Sequence, residues 1–150
     1  MNRDFVEMLS ALTETGAEFL VVGAHALAAH GVPRATGDLD IWVKGSADNA
    51  TRVLSALEKF GAPLIDLTTS DLTTPGTVYQ IGVPPSRIDI LTSISGVTFE
   101  RAWVQRLTVE IDGIAVPILG KEQFIANKRA VGRPKDLSDL ELLAEADRQS

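Results

Sequence analysis

VVGAHALAAHGVPRATGDLDIWVK, residues 21–44, is the stretch on which the fold turns. An apolar run ending Leu20-Val21-Val22 reads as a strand and stops at Gly23. Ala24 to His30 is rich in alanine and reads as a helix, which Gly31, Val32 and Pro33 break. From Asp38 to Val43 polar and apolar residues alternate, the period of a half-buried strand. Residues i and i+2 of a strand share a face, so Asp38 and Asp40 point one way and Leu39, Ile41 and Val43 the other. Like charges held side by side repel, and the strand therefore needs a reason to carry them.

A second segment repeats the pattern. In Arg87-Ile88-Asp89-Ile90-Leu91 the isoleucines face one way and Asp89 the other. If the two strands pair, three carboxylates converge on one side of a sheet whose other side is aliphatic. Without a cation such groups take up protons or repel. Mg²⁺ resolves the conflict with one or two carboxylates, water and phosphate oxygens. A lone D-x-D is usually a solvated pair on an open strand face; the glycine-ended strand before it and the second aspartate strand after it favour a site. Gly23, at a strand–helix junction, would let a phosphate approach backbone N–H groups. The stretch reads G-A-H-A-L-A, so the G-x-G-x-x-G of a dinucleotide-binding fold is absent.

Outward from this core, Phe5, Met8, Leu9 and Leu12 fall at helical spacing over residues 3–15, ended by Gly16. Phe19 to Val22 is a strand. Ser46 caps a helix over 47–59 with Val53, Leu54, Leu57 and Phe60 on one side. Residues 61–75 carry no clear pattern, and the run TTSDLTTPG (68–76) reads as an irregular loop. Strands are expected at 77–81 and 87–91, then a hairpin of 107–111 and 114–118 about Asp112-Gly113, a type I′ turn signal. Helices over 121–130 and 136–147 follow, separated by Gly132-Arg133-Pro134. The order predicts an α/β or α+β fold, a mixed sheet with helices packed on it, as one domain over residues 1–150.

With 150 residues, 45% of them hydrophobic and 23% charged, the chain can bury a sizeable core. It has no cysteine, which excludes disulfides and thiolate metal sites. The N-terminus carries Asp4 and Glu7 and does not read as a signal peptide. No apolar run nears the ~20 residues that span a bilayer, so no membrane association and a cytoplasmic location are expected. The net charge of −6 argues against broad, non-specific DNA or RNA binding, which leaves a basic footprint. Lys128 to Lys135 (KRAVGRPK) is a local basic patch that also suits a solvated face.

The combination of a glycine-ended strand, a short helix, R-x-T-x-D-L-D and a later aspartate strand resembles the polymerase-β-like nucleotidyltransferase superfamily. Its small bacterial stand-alone members, several from toxin–antitoxin or phage-defence systems, are the nearest likeness. The tail Lys128 to Leu140 resembles theirs, and the likeness spans roughly residues 18–143. It implies that Asp38 and Asp40 are paired ligands of Mg²⁺ (or Mn²⁺), with Asp89 a third ligand and base. It implies that Gly23 and Ala24 stand where a Gly-Gly or Gly-Ser pair contacts the triphosphate. Arg34 and Thr36 match the R-x-T run and are candidates for touching phosphate or bracing the loop. Lys128 and Lys135 are candidates for triphosphate contact, while Asp136 and Asp139 brace the last helix. Ala24 departs from the pattern: backbone donation survives it, a side-chain phosphate contact does not.

His25, near the phosphate loop, is a further site candidate; His30 suits a structural role. Trp42 and Tyr79 have rings that could stack on a base, but packing fits both better. The resemblance implies transfer of an NMP from an NTP to a hydroxyl of a tRNA, a protein or a small molecule, with an antitoxin or second subunit as partner. A nucleotide-binding module without catalysis and a metal-dependent nuclease are the alternatives.

Overall fold

The computed structural model describes residues 1–33 and 37–149. Arg34 and Thr36 lie outside the described residues. The amphipathic N-terminal helix α1 (Arg3–Glu14) buries the expected Phe5, Met8, Leu9 and Leu12. β1 (Phe19–Val22) is buried throughout and passes at Gly23 into the short helix α2 (Gly23–Ala29). β2 (Asp38–Val43) leads to α3 (Ala47–Phe60), where the Ser46 side chain accepts from Asn49 N–H and Gly61 closes the helix in the left-handed region. The chain continues through α4 (Thr69–Thr73), β3 (Val78–Ile81), β4 (Arg87–Leu91), α5 (Phe99–Val104), β5 (Leu107–Ile111), β6 (Ile114–Ile118), α6 (Lys121–Val131) and α7 (Pro134–Arg148).

The strands form one mixed sheet in the order β3-β4-β2-β1-β6-β5. β1 runs antiparallel to β2 and parallel to β6, β2 runs parallel to β4, and the two edge strands β3 and β5 run antiparallel to β4 and β6 respectively. The expected mixed α/β architecture is therefore the one observed. At the hairpin turn Asp112 and Gly113 both have positive φ, 48° and 81°, as a type I′ turn requires.

Register sorts the two faces. Leu39 stands opposite Ile88 and Ile41 opposite Ile90; all four are fully buried. Val43 and Ile41 stand opposite Phe19 and Val21 of β1, continuing the same aliphatic layer. Burial of this layer together with the α1 and α3 stripes supplies the main stabilisation, roughly 1.5–3 kcal/mol for each large side chain taken from water.

A buried amide locks one end of the central pair. Asn49 accepts from Glu18 N–H at 2.7 Å and donates to Glu18 O at 3.0 Å and Lys44 O at 2.9 Å. It thus ties the start of β1 and the end of β2 to the first turn of α3.

The structure departs from the expectations at three places. Residues 61–75 are not wholly irregular, because Thr68 and Asp71 form a reciprocal capping box that starts α4. Residues 92–106, for which no element was expected, hold α5, which buries Phe99 and Ala102. The last helix begins at Pro134 rather than 136, with proline at its first helical position.

Candidate functional site

The face of β2 and β4 opposite the aliphatic layer carries the charge. Asp40 lies directly opposite Asp89, and Asp38 opposite Arg87, in the parallel register. Asp89 is buried at 8% exposure, while Asp38 and Asp40 are half-buried. The three aspartates expected to converge are thus on one face of adjacent strands, with Arg87 the fourth member. Sequence reasoning passed over Arg87, although its signal was present: R-x-D places it beside Asp89 on the face that D-x-D assigns to the carboxylates.

Arg87 Nη2 is 2.7 Å from Asp38 Oδ2 and 3.2 Å from Asp89 Oδ2. One guanidinium nitrogen therefore stands between two carboxylates. The other end of the network is unsatisfied: Asp89 Oδ1 and Arg87 Nε are buried with no hydrogen-bond partner.

Asp40 feels the imbalance most. Its pKa is pushed up from 3.8 to about 6, first by burial and then by the charge of Asp89 opposite it. Arg87 works in the opposite direction without cancelling the effect.

Gly23 closes the site from β1. Its φ is +68°, and a methyl group added there would stand 2.5 Å from Asp40 Oδ2. Both the backbone conformation and the contact with the carboxylate require glycine. Ala24 follows, half-buried, in the first turn of α2, where no side chain caps the helix. His25 sits edge-on to Phe5 at 5.6 Å between ring centroids. Burial lowers its pKa, while a hydrogen bond to the Asp38 backbone pulls the other way. It thereby links α2 to the first residue of β2. His30 is structural, with Nε2 2.7 Å from Leu119 O.

The basic tail is organised separately. Asp136, fully buried, accepts from Arg133 N–H, Nε and Nη2 and from Lys128 Nζ at 3.4 Å. These partners, the Arg133 side chain foremost, lower its pKa to about 2. Lys128 is thus directed at Asp136, joining α6 to α7, and Lys135 is exposed in the first turn of α7. Trp42 is buried and meets Phe99 edge-on at 5.1 Å, so its ring packs. The Tyr79 hydroxyl donates to Pro63 O.

The donor set suits a hard divalent cation. It consists of carboxylate oxygens, one of them buried without a donor, beside a carboxyl whose pKa is raised by burial and by its acidic neighbours. Among the described residues no three acidic or imidazole side chains are gathered closely enough to enclose an ion. The preformed element is the pair Asp40 and Asp89, and Arg87 lies between Asp89 and Asp38.

No helix among the described residues is long and apolar enough to cross a membrane. No curated protein matches the chain. Among solved structures, a protein of Thermotoga maritima, provisionally described as a nucleotidyltransferase, aligns with a TM-score of 0.61 at 15% identity. The alignment covers 99% of this chain and 92% of that one; at such identity the likeness is one of fold. The family model for a nucleotidyl transferase of unknown function matches residues 1–149. With its match running from the first helix to the last, the chain belongs to that family, DUF2204.

Proposed function

We propose that the carboxylate face of β2 and β4 catalyses transfer of an NMP from an NTP to an acceptor hydroxyl, releasing pyrophosphate. The observation that carries this reading is the register-matched pair Asp40 and Asp89, short of positive charge among the described residues, with Asp89 Oδ1 buried without a donor. Asp38, Asp40 and Asp89 would hold Mg²⁺ or Mn²⁺, which when bound supplies charge stabilisation to the nucleotide phosphates. In the transfer the acceptor oxygen forms a bond to the α-phosphorus. The bond from that phosphorus to the oxygen bridging to the β-phosphorus breaks, and pyrophosphate leaves. Asp89 takes the acceptor proton, its buried Oδ1 being the oxygen without a donor.

The other residues position. Gly23 lets the backbone at the start of α2 come against Asp40, and the N–H groups of Gly23 and Ala24 are the candidate contacts for the triphosphate. His25 steadies Asp38 through its backbone. Arg34, Thr36, Lys128 and Lys135 remain candidates for phosphate contact, with Lys128 having to leave Asp136 to act so. The acceptor class is a tRNA end, a protein side chain or a small molecule. A toxin–antitoxin partnership rests on the resemblance of the sequence, and a cytoplasmic location on the absence of a signal-peptide pattern or membrane-spanning run in it. An acidic chain favours a defined acceptor over bulk nucleic acid.

The test is incubation of the purified protein with α-labelled NTPs, Mg²⁺ and cell extract. Label transferred by wild type and lost in Asp38→Ala plus Asp40→Ala supports the reading. No transfer by wild type, or transfer that persists in the double variant, refutes it.

A further inference from the structure

We propose that Arg87 is the resident counter-cation of the carboxylate face, and that a divalent ion enters only as its guanidinium releases Asp38 and Asp89. The inference rests on the reading of this face as a divalent-cation site, and it concerns what the site does before the ion arrives.

The geometry separates this role from that of a structural anchor. Arg87 reaches both carboxylates through the single nitrogen Nη2, at 2.7 and 3.2 Å. Its Nε is buried and bonds to nothing. A guanidinium that locks a fold is normally held by several of its five donors, often in a bidentate fork; this one is held at its tip. The side chain is also about one-third exposed, at 32%, so it has a path to solvent. Its position follows from the backbone, since Arg87 is opposite Asp38 and two residues before Asp89 on the same face of β4.

The charge arithmetic agrees. Among the described residues two carboxylates contact the one guanidinium, and Asp89 Oδ1 is left without a donor. A divalent ion competes with the guanidinium for the same oxygens and must also overcome its repulsion at short range. Binding of the ion alone is therefore weak. An NTP brings phosphate oxygens that give the released guanidinium a new acceptor, so ion and nucleotide bind with positive coupling, and the coupling is reciprocal.

The experiment is a titration of Mn²⁺ followed by its EPR signal, at pH 8 and without nucleotide. It uses wild type, Arg87→Met and Arg87→Lys, with folding checked by circular dichroism. Arg87→Met is expected to bind Mn²⁺ at least tenfold more tightly than wild type. Its melting temperature should be lower than wild type in chelator and rise more on adding Mn²⁺. Lysine, a point charge that cannot span both carboxylates, should give an intermediate affinity and keeps the comparison available if the methionine variant misfolds. ATP should tighten Mn²⁺ binding more in wild type than in either variant. Equal or weaker Mn²⁺ binding by both variants overturns the role of Arg87 while leaving the cation site intact. Absence of Mn²⁺ binding by every protein, with and without ATP, overturns the cation site and this inference with it.

Discussion

Asp40 and Asp89 stand directly opposite each other on neighbouring parallel strands, and burial together with the facing Asp89 charge raises the pKa of Asp40. The residues flanking them in the same register, Leu39 with Ile88 and Ile41 with Ile90, are buried on the other face. The core therefore fixes the pair: a shift of one residue in either strand would bury the carboxylates and expose the isoleucines.

The raised pKa of Asp40 sets a pH dependence. Between 3.8 and about 6 the folded chain keeps a proton that the unfolded chain has lost. The contribution of this group to stability is present below that window, falls as pH rises through it, and is constant above. In chelator, Asp40→Asn should flatten this part of the melting-temperature profile. At pH 7.5 it should exceed wild type in stability by about 1–2 kcal/mol, discounted for the partial exposure of the site. Activity should be lost at the same time.

Asp136 should behave in the opposite sense. Its lowered pKa means that its contribution is present above 3.8 and is lost as pH falls toward about 2. Asp136→Asn should abolish this acid-side loss in melts below pH 4 while leaving the profile between pH 4 and 6 unchanged. The companion substitution Lys128→Met should lower stability by about 1 kcal/mol, as one partner of a buried carboxylate is removed. Lys135→Ala should leave it within about 0.5 kcal/mol, as for an exposed residue.

Gly23→Ala combines a left-handed backbone with a 2.5 Å approach to Asp40 Oδ2. It should cost about 1–3 kcal/mol in denaturant unfolding and lower transfer activity at least tenfold by displacing the carboxylate. Wild-type rates in this variant would show that Asp40 does not need its present position.

Asn49 provides the contrast, because its three bonds to Glu18 and Lys44 lie at the far end of β2 from Asp38. Asn49→Ala takes the side-chain partner from Glu18 N–H and Lys44 O, while Glu18 O keeps the Lys44 N–H, and should destabilise by about 1–3 kcal/mol. Activity per folded molecule should be unchanged at temperatures where the variant remains folded.

What the sequence disclosed follows from how local each signal is. Alternation in Asp38 to Val43 and in Arg87 to Leu91 assigned the faces without any knowledge of tertiary structure, and Asp112-Gly113 marked the hairpin turn. The parallel pairing of β2 with β4, and of β1 with β6, depends on contacts far apart in the chain and left no local mark. Arg87 was overlooked because a lone arginine in a strand is ordinary; its meaning appears only when Asp38 is set opposite it. The α4 capping box was legible in Thr68-x-x-Asp71 but was obscured by the threonine-rich run around it. The α5 helix is six residues long and is held by the packing of Phe99 against Trp42, which local propensity does not report. Lys128 illustrates the reverse case: a basic patch suggests phosphate, whereas the fold directs this lysine at Asp136.

The central claim is that this face moves a nucleotidyl group, and parallel reactions with α- and γ-labelled NTP test it most directly. With Mg²⁺ and extract, the α label should enter an acceptor and the γ label should leave as pyrophosphate, and both outcomes should vanish in Asp40→Asn plus Asp89→Asn. Transfer of the γ label to the acceptor, or α-label transfer undiminished in the double variant, would contradict it.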